Sequence, residues 1–197
     1  MKIQLKTAPV KFPISLDVAK DHLRVDSDFT DDDTYIHSLI SSATQKAEQF
    51  LHRRLITQTW YYYLAEWPRS SNIVLPFGKL QSVTSVKYKD YNGDETTWDT
   101  GEYIVDTGSD PGEIVLDYGK VYPTDTLYPS NPITIEFVCG YGDNESTVEA
   151  AIKHAIKLGV SDLYENRETQ VITGGRADFF EFHTFKNLLT PFKIFQL

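Results

Sequence analysis

The spacing of apolar residues changes period twice along this chain, and that double switch limits the folds open to it. From Ser15 to Leu51 the spacing is helical, from Leu55 to Gly140 it alternates as in strands, and from Ser146 it is helical again. A helix returns to the same face about every 3.6 residues and a strand every second one, so the stretches cannot share one kind of layer. The pattern predicts an α+β chain in which a helical bundle body of about four helices is interrupted by an inserted all-β, sandwich-like module. The expected boundaries are 1–54 for the first part of the body, 55–142 for the β module, and 143–197 for the second part of the body with a C-terminal docking segment.

Within the body, Leu16, Ala19 and Leu23 mark a first helix over 15–25, with Ser15 as its cap and Asp17 in its first turn. A longer helix starts near Thr30, where Thr30 and Asp33 resemble a capping pair, and carries the stripe Ile36, Leu39, Ile40, Ala43, Ala47, Phe50 and Leu51. Acidic residues at its start and His52, Arg53 and Arg54 at its end suit the helix dipole. Strand-like runs follow at 55–64, 72–76, 80–90, 102–106, 113–117 and 133–140, with Asn92-Gly93 and Pro111-Gly112 as turns. Ser146 and Glu149 then match the Ser-x-x-Glu capping box of a helix whose apolar arc, from Val148 through Ile156 to Tyr164, is too broad for one contact. The stretches 15–54 and 146–166 are expected to pack together, with the two ends of the β module close in space. TQVITGG (169–175) reads as a flexible connector, and Phe179, Phe182, Phe185, Leu189 and Phe192 recur at helical spacing beyond it.

A formal charge of -9 argues against a protein that grips a phosphate backbone, because that affinity comes from clustered lysine and arginine. The single cysteine, Cys139, cannot form an internal disulfide and lies in an apolar run where a small buried thiol is expected. MKIQLKTAPVKF, at the amino terminus, alternates polar and apolar residues without a long apolar core, and no stretch approaches the ~18 apolar residues of a membrane span, so neither export nor membrane insertion is expected.

Several motifs invite chemistry and fail on inspection. Gly140-Tyr141-Gly142 stands between a strand and a helix, as a phosphate loop does, but no lysine follows and Asp143 and Glu145 would repel an anion. The acidic run DSDFTDDD (26–33) lacks the glycine and glutamate of a calcium loop, having Asp31 and His37 at those places. His22, His37, His52, His154 and His183 are scattered without metal-ligand spacing, and no nucleophile with an adjacent base can be assembled. Trp60, Tyr61, Tyr62, Tyr63 and Trp67 could stack a sugar, but a strand puts them on both faces, which favours packing or a protein interface. No cofactor, metal or enzymatic activity is expected.

Taken in order, ISLDVAKDHLRVD (14–26), DDDTYIHSLISSATQKAEQFLHRRLITQTW (31–60), LPFGKLQSVTSVKYKDYNGD (75–94), the FVCGYG turn, YENRE (164–168) and NLLTPFK (187–193) resemble the head-tail connector (adaptor, head-completion) proteins of long-tailed bacteriophages, in the branch with a β insert. The resemblance implies a structural virion protein made in the host cytoplasm and placed at the head–tail junction. It implies a homo-oligomeric ring of twelve subunits beneath the portal protein, in contact with a tail-proximal connector or tail terminator protein. DNA would pass through the ring's channel without specific binding. Beside that resemblance, Phe179, Phe180, Phe182, Phe185, Phe192 and Phe195 form an aromatic C-terminal segment expected to contact the portal or a neighbouring subunit. The alternative is a β-sandwich ligand-binding module with a helical appendage, distinguishable by oligomeric mass; a hydrolase has only the abundance of acids in its favour.

Overall fold

The computed structural model describes residues 2–166 and 183–195. The chain divides into two compact units, each drawn from separated stretches of sequence. A β unit takes the chain up to Pro9 and Ile56–Tyr141, and a helical unit takes Val10–Leu55 and Gly142–Phe195.

The β unit has eight strands among the described residues: β1 (Lys2–Thr7), β2 (Gln58–Leu64), β3 (Asn72–Val74), β4 (Leu80–Lys89), β5 (Glu95–Thr97), β6 (Tyr103–Asp106), β7 (Glu113–Leu116) and β8 (Ile133–Cys139). They form two antiparallel sheets, in the orders β1-β2-β8-β4-β5 and β3-β7-β6. Strict alternation along β8 buries Ile133, Ile135, Phe137 and Cys139 on one face, and the register sets Ile135 between Tyr62 and Val86. Ile73, Tyr103 and Ile114 of the smaller sheet complete the same core, so the two sheets enclose one apolar layer. At the β4–β5 hairpin, Gly93 takes a positive φ of 90° and the Asp90 carboxylate accepts from the backbone of Asn92 and Asp94, which is the turn that Asn92-Gly93 predicts.

Residues 2–7 differ from the expectation that placed 1–54 in the helical body: they pair along β2, Lys2 with Tyr63 and Leu5 with Trp60, and bulge at Lys6. Their partner lies more than fifty residues away, so the alternation of polar and apolar residues is accompanied by no hairpin turn that would announce the pairing.

The helical unit contains α1 (Leu16–Leu23), α2 (Asp33–Leu51), α3 (Ala150–Glu165) and α4 (His183–Leu189). The Ser15 hydroxyl accepts from Val18 N, so the first cap forms as its sequence implies. Ile36, Ile40, Ala43, Ala47 and Leu51 of α2 are buried along with Ile152, Ala155, Ile156 and Val160 of α3 and with Phe185 and Leu189 of α4. Each fully buried Ile or Leu side chain contributes on the order of 1.5–3 kcal/mol. Close approach of α2 and α3 depends on Gly159, where a Cβ would lie 3.3 Å from that of Ala43. Tyr35 donates to Leu163 O and Tyr164 to Asp32 Oδ2 across the same pair of helices.

Three local expectations are corrected. Thr30 does not cap α2: Asp32 is its N-cap residue, without a side-chain cap bond, and the Asp33 carboxylate is held instead by Lys20. No basic residue lies in the last turn of α2; His52 is its left-handed C-cap, whose N–H donates to Glu48 O, while Arg53 donates to Phe192 O and Arg54 pairs with Glu48. Ser146 and Glu149 form no capping box. Residues Glu145–Thr147 make a separate 3-10 turn, Thr147 Oγ1 donates to Asn144 O, and α3 begins only at Ala150 with Glu149 as its N-cap. Burial of Val148 interrupts the helix path at that point, since its extended backbone turns the side chain into the core.

Candidate functional site

The glycine turn is a junction. Gly140 has φ 130°, and a Cβ there would lie 2.7 Å from the backbone carbon and oxygen of Ile56. The chain entering the β unit and the chain leaving it thus touch main chain to main chain, an approach open only to glycine. Gly142, at φ 152°, would similarly press a Cβ against Thr147. Both glycines are consumed by the turn, with nothing arranged to receive a phosphate.

The acidic run 26–33 is closed around an internal cation. Lys20 is only 3% exposed, and its Nζ donates to Ser27 O at 2.9 Å, Phe29 O at 2.7 Å and Asp33 Oδ1 at 2.8 Å. Two carbonyls and a carboxylate converge as they would on a metal ion, but the ammonium fills the place and spends all three of its donors. Among the described residues no group of three or more His, Cys, Asp or Glu side chains is arranged to hold a metal. His22 and His154 do meet edge to face with centroids 6.3 Å apart; burial, then Lys157 and His154 itself, lowers the His22 pKa. His37 stacks edge to face on Phe12. Cys139 is fully buried in β8.

The aromatic run of β2 splits between the two sheet faces. Trp60 and Tyr62 point inward, Trp60 against Phe77 at 4.7 Å, while Tyr61 and Tyr63 lie outward beneath Lys6 and Lys2, each Nζ 5.2 Å from a ring. Lys6 also pairs with Glu136 at 2.7 Å, a bond that raises its pKa. Trp67 joins a different cluster, stacked on Tyr122 at 5.1 Å and touching Trp98 and Tyr88. The Nε1 of Trp67 and the hydroxyl of Tyr122 are buried and find no hydrogen-bond partner among the described residues. The rings of this run pack against one another and their lysine lids; they form no stacking shelf for a sugar.

For the C-terminal segment, Phe179, Phe180 and Phe182, like the 169–175 connector, lie outside the described residues. Phe185 is 2% exposed and packs against Gly159, so it belongs to the core of its own subunit. Phe192 is half-buried, and Phe195 is 70% exposed beside Lys193, whose Nζ lies 4.8 Å from the Phe50 ring. The signal for Phe185 was already in its helical spacing with Leu189, which is the spacing of core residues. Among the described residues no helix is long and apolar enough to cross a membrane.

No curated protein matches the chain. Its fold is that of a chain in the neck of an empty gene transfer agent particle computed with C6 symmetry: TM-score 0.78 at 21% identity, covering 100% of this chain and 97% of that one. It overlays equally on a chain of the native gene transfer agent virion, at 0.78 and 20% identity, with the same coverage. A chain of the native neck computed with C12 symmetry gives 0.75 at 21% identity, again covering 100% and 97%. Residues 13–110 match the family model described as phage gp6-like head-tail connector protein, a span that runs from before α1 into the β6–β7 turn, and over those residues the chain belongs to that family.

Proposed function

We propose that this protein is a structural subunit of a virion or virion-like particle that joins head to tail, assembled as a homo-oligomeric ring between the portal and the tail with a channel through which DNA passes. The observation that carries the reading is the family match over residues 13–110. The end-to-end likeness in fold to neck chains, including those of structures computed with C6 and C12 symmetry, supports a ring. A charge of -9 suits a conduit, since carboxylates repel the phosphates of passing DNA. The portal, a tail-proximal partner and DNA in transit are the partners this role requires. A C-terminal contact with the portal or a neighbour falls chiefly to Phe195, with Phe192 beside it and Phe179, Phe180 and Phe182 preceding them in sequence.

Removing the gene from cells that produce the particle is expected to leave DNA-filled heads and separate tails that fail to join, as seen by negative-stain microscopy, with joining restored by the protein supplied from a plasmid. Normal yields of joined particles without it would overturn the reading.

A further inference from the structure

The two sheets of the β unit present unlike outer faces. On the five-stranded sheet the outward residues include Lys2, Gln4, Tyr61, Tyr63, Lys87 and Glu136, whose polar groups bond to one another or cover the rings, with half-buried Val138 among them. On the three-stranded sheet Val74 of β3 and Ile104 of β6 are 50% and 54% exposed, and Val115 of β7 lies directly opposite Ile104. An outward sheet face of a protein that works alone is ordinarily polar. The strands β6 and β7 and the turns beside them are strongly acidic: between residues 99 and 119 the chain has six carboxylates and no lysine or arginine. Lys120 on Glu102 and Lys79 at 4.0 Å from Asp110 offset part of that charge.

A complementary surface exists on the same unit. Strand β1 is an edge strand of the larger sheet, paired with β2 on one side only, and five of its six residues are exposed. Its outer backbone groups can accept another chain. Leu5 is 42% exposed there, Lys2 and Lys6 lie on the same strand, and the first sixteen residues of this acidic chain contain three lysines and no carboxylate.

We propose that the acidic outer face of the β3-β7-β6 sheet docks on the basic β1 edge of a second copy of this chain. The face cannot pair with itself about a two-fold axis, because its carboxylates would then meet like charges. Acid meeting base on a different surface makes the contact head-to-tail, the kind that closes into a ring. The proposal rests on the ring reading above and specifies which surfaces close it.

The test mixes equal amounts of unlabelled and 15N-labelled full-length protein, at concentrations where light scattering detects association, and couples amines to carboxylates with a water-soluble carbodiimide. Mass spectrometry is expected to find mixed-isotope links from Lys2 or Lys6 to Asp106, Glu113 or Asp117. Association should weaken at least tenfold between ~0.1 and ~1 M salt as the charges are screened. Ile104→Lys, an exposed position whose change leaves the circular dichroism unaltered, should weaken association at least tenfold by setting lysine against lysine. Rings that form with no such mixed links, or that tolerate Ile104→Lys and high salt, overturn the proposal while leaving the connector role standing. A chain that stays monomeric and gives only same-isotope links overturns it as well. Failure of the connector role itself would appear separately, as particles that join without the protein.

Discussion

The helical unit and the β unit both knit together distant stretches of sequence, but they do so with different forces. In the helical unit, charged groups are taken inside and satisfied one by one: Lys20 closes the α1–α2 loop, and Glu48 accepts from Leu55 N at 2.9 Å while pairing with Arg54. In the β unit, the long-range ties are backbone register and apolar packing, with β8 inserted between β2 and β4, and its charged pairs lie at the surface. A helix satisfies its own main chain, so its loops and ends need side chains to hold them. A sheet satisfies its main chain only through partners, so it needs close, exact approach of strands.

That contrast can be broken most forcefully at Gly140→Ala. The new Cβ would overlap the main chain of Ile56 and Thr57 and hold an alanine at φ 130°. Strain and overlap each cost about 1–3 kcal/mol, so the melting temperature should drop by roughly 10 °C. Amide exchange should quicken first in β2 and β8 and leave α2 protected; equal loss in both units would show that they are not separately held. Lys20→Met should come next. It leaves two carbonyls and a carboxylate without their donor, at a net cost of about 2–3 kcal/mol given the partial exposure of Asp33. Exchange should rise over 26–33 while the β unit is unchanged, and an unaltered unfolding midpoint would mean that the ammonium is not the tie. The smallest effect is expected for Tyr122→Phe, which deletes a buried hydroxyl lacking a partner among the described residues. Stability should stay level or rise by up to about 1 kcal/mol in chemical denaturation; a comparable loss would show that the hydroxyl is bonded after all.

The parts of this fold legible in the sequence are those governed by neighbours in the chain. Ser15 caps α1, the α2 stripe from Ile36 to Leu51 is buried apart from half-buried Phe50, and Asn92-Gly93 turns the hairpin, each through contacts within a few residues. What was hidden depended on distant partners. β1 alternates polar and apolar residues, but no turn beside it names β2 as its partner, and the larger sheet is assembled only when β8 pairs with β2 on one side and β4 on the other. The Ser146–Glu149 pattern misled because a cap signal states a local preference, and burial of Val148 overrode it. For the candidate surfaces, six phenylalanines between 179 and 195 stand out by composition, while Val74, Ile104 and Val115 become a face only when three separate strands align.

Strand β8 carries one more consequence, which concerns the order in which the molecule is made. On the ribosome β2 and β4 emerge long before the strand that lies between them, and neither has that neighbour until Cys139 is available. The larger sheet therefore cannot close during most of the synthesis of the β unit, and its central strand is added last. The helical unit waits longer still, because α2 meets α3 only after the sheet's final strand has been translated. Pairings of such long sequence separation form slowly and leave strand edges uncovered in the interval. A nascent chain stalled before residue 133 would expose those edges to its neighbours on a polysome, so the hazard of premature pairing between copies is greatest just before the subunit is complete.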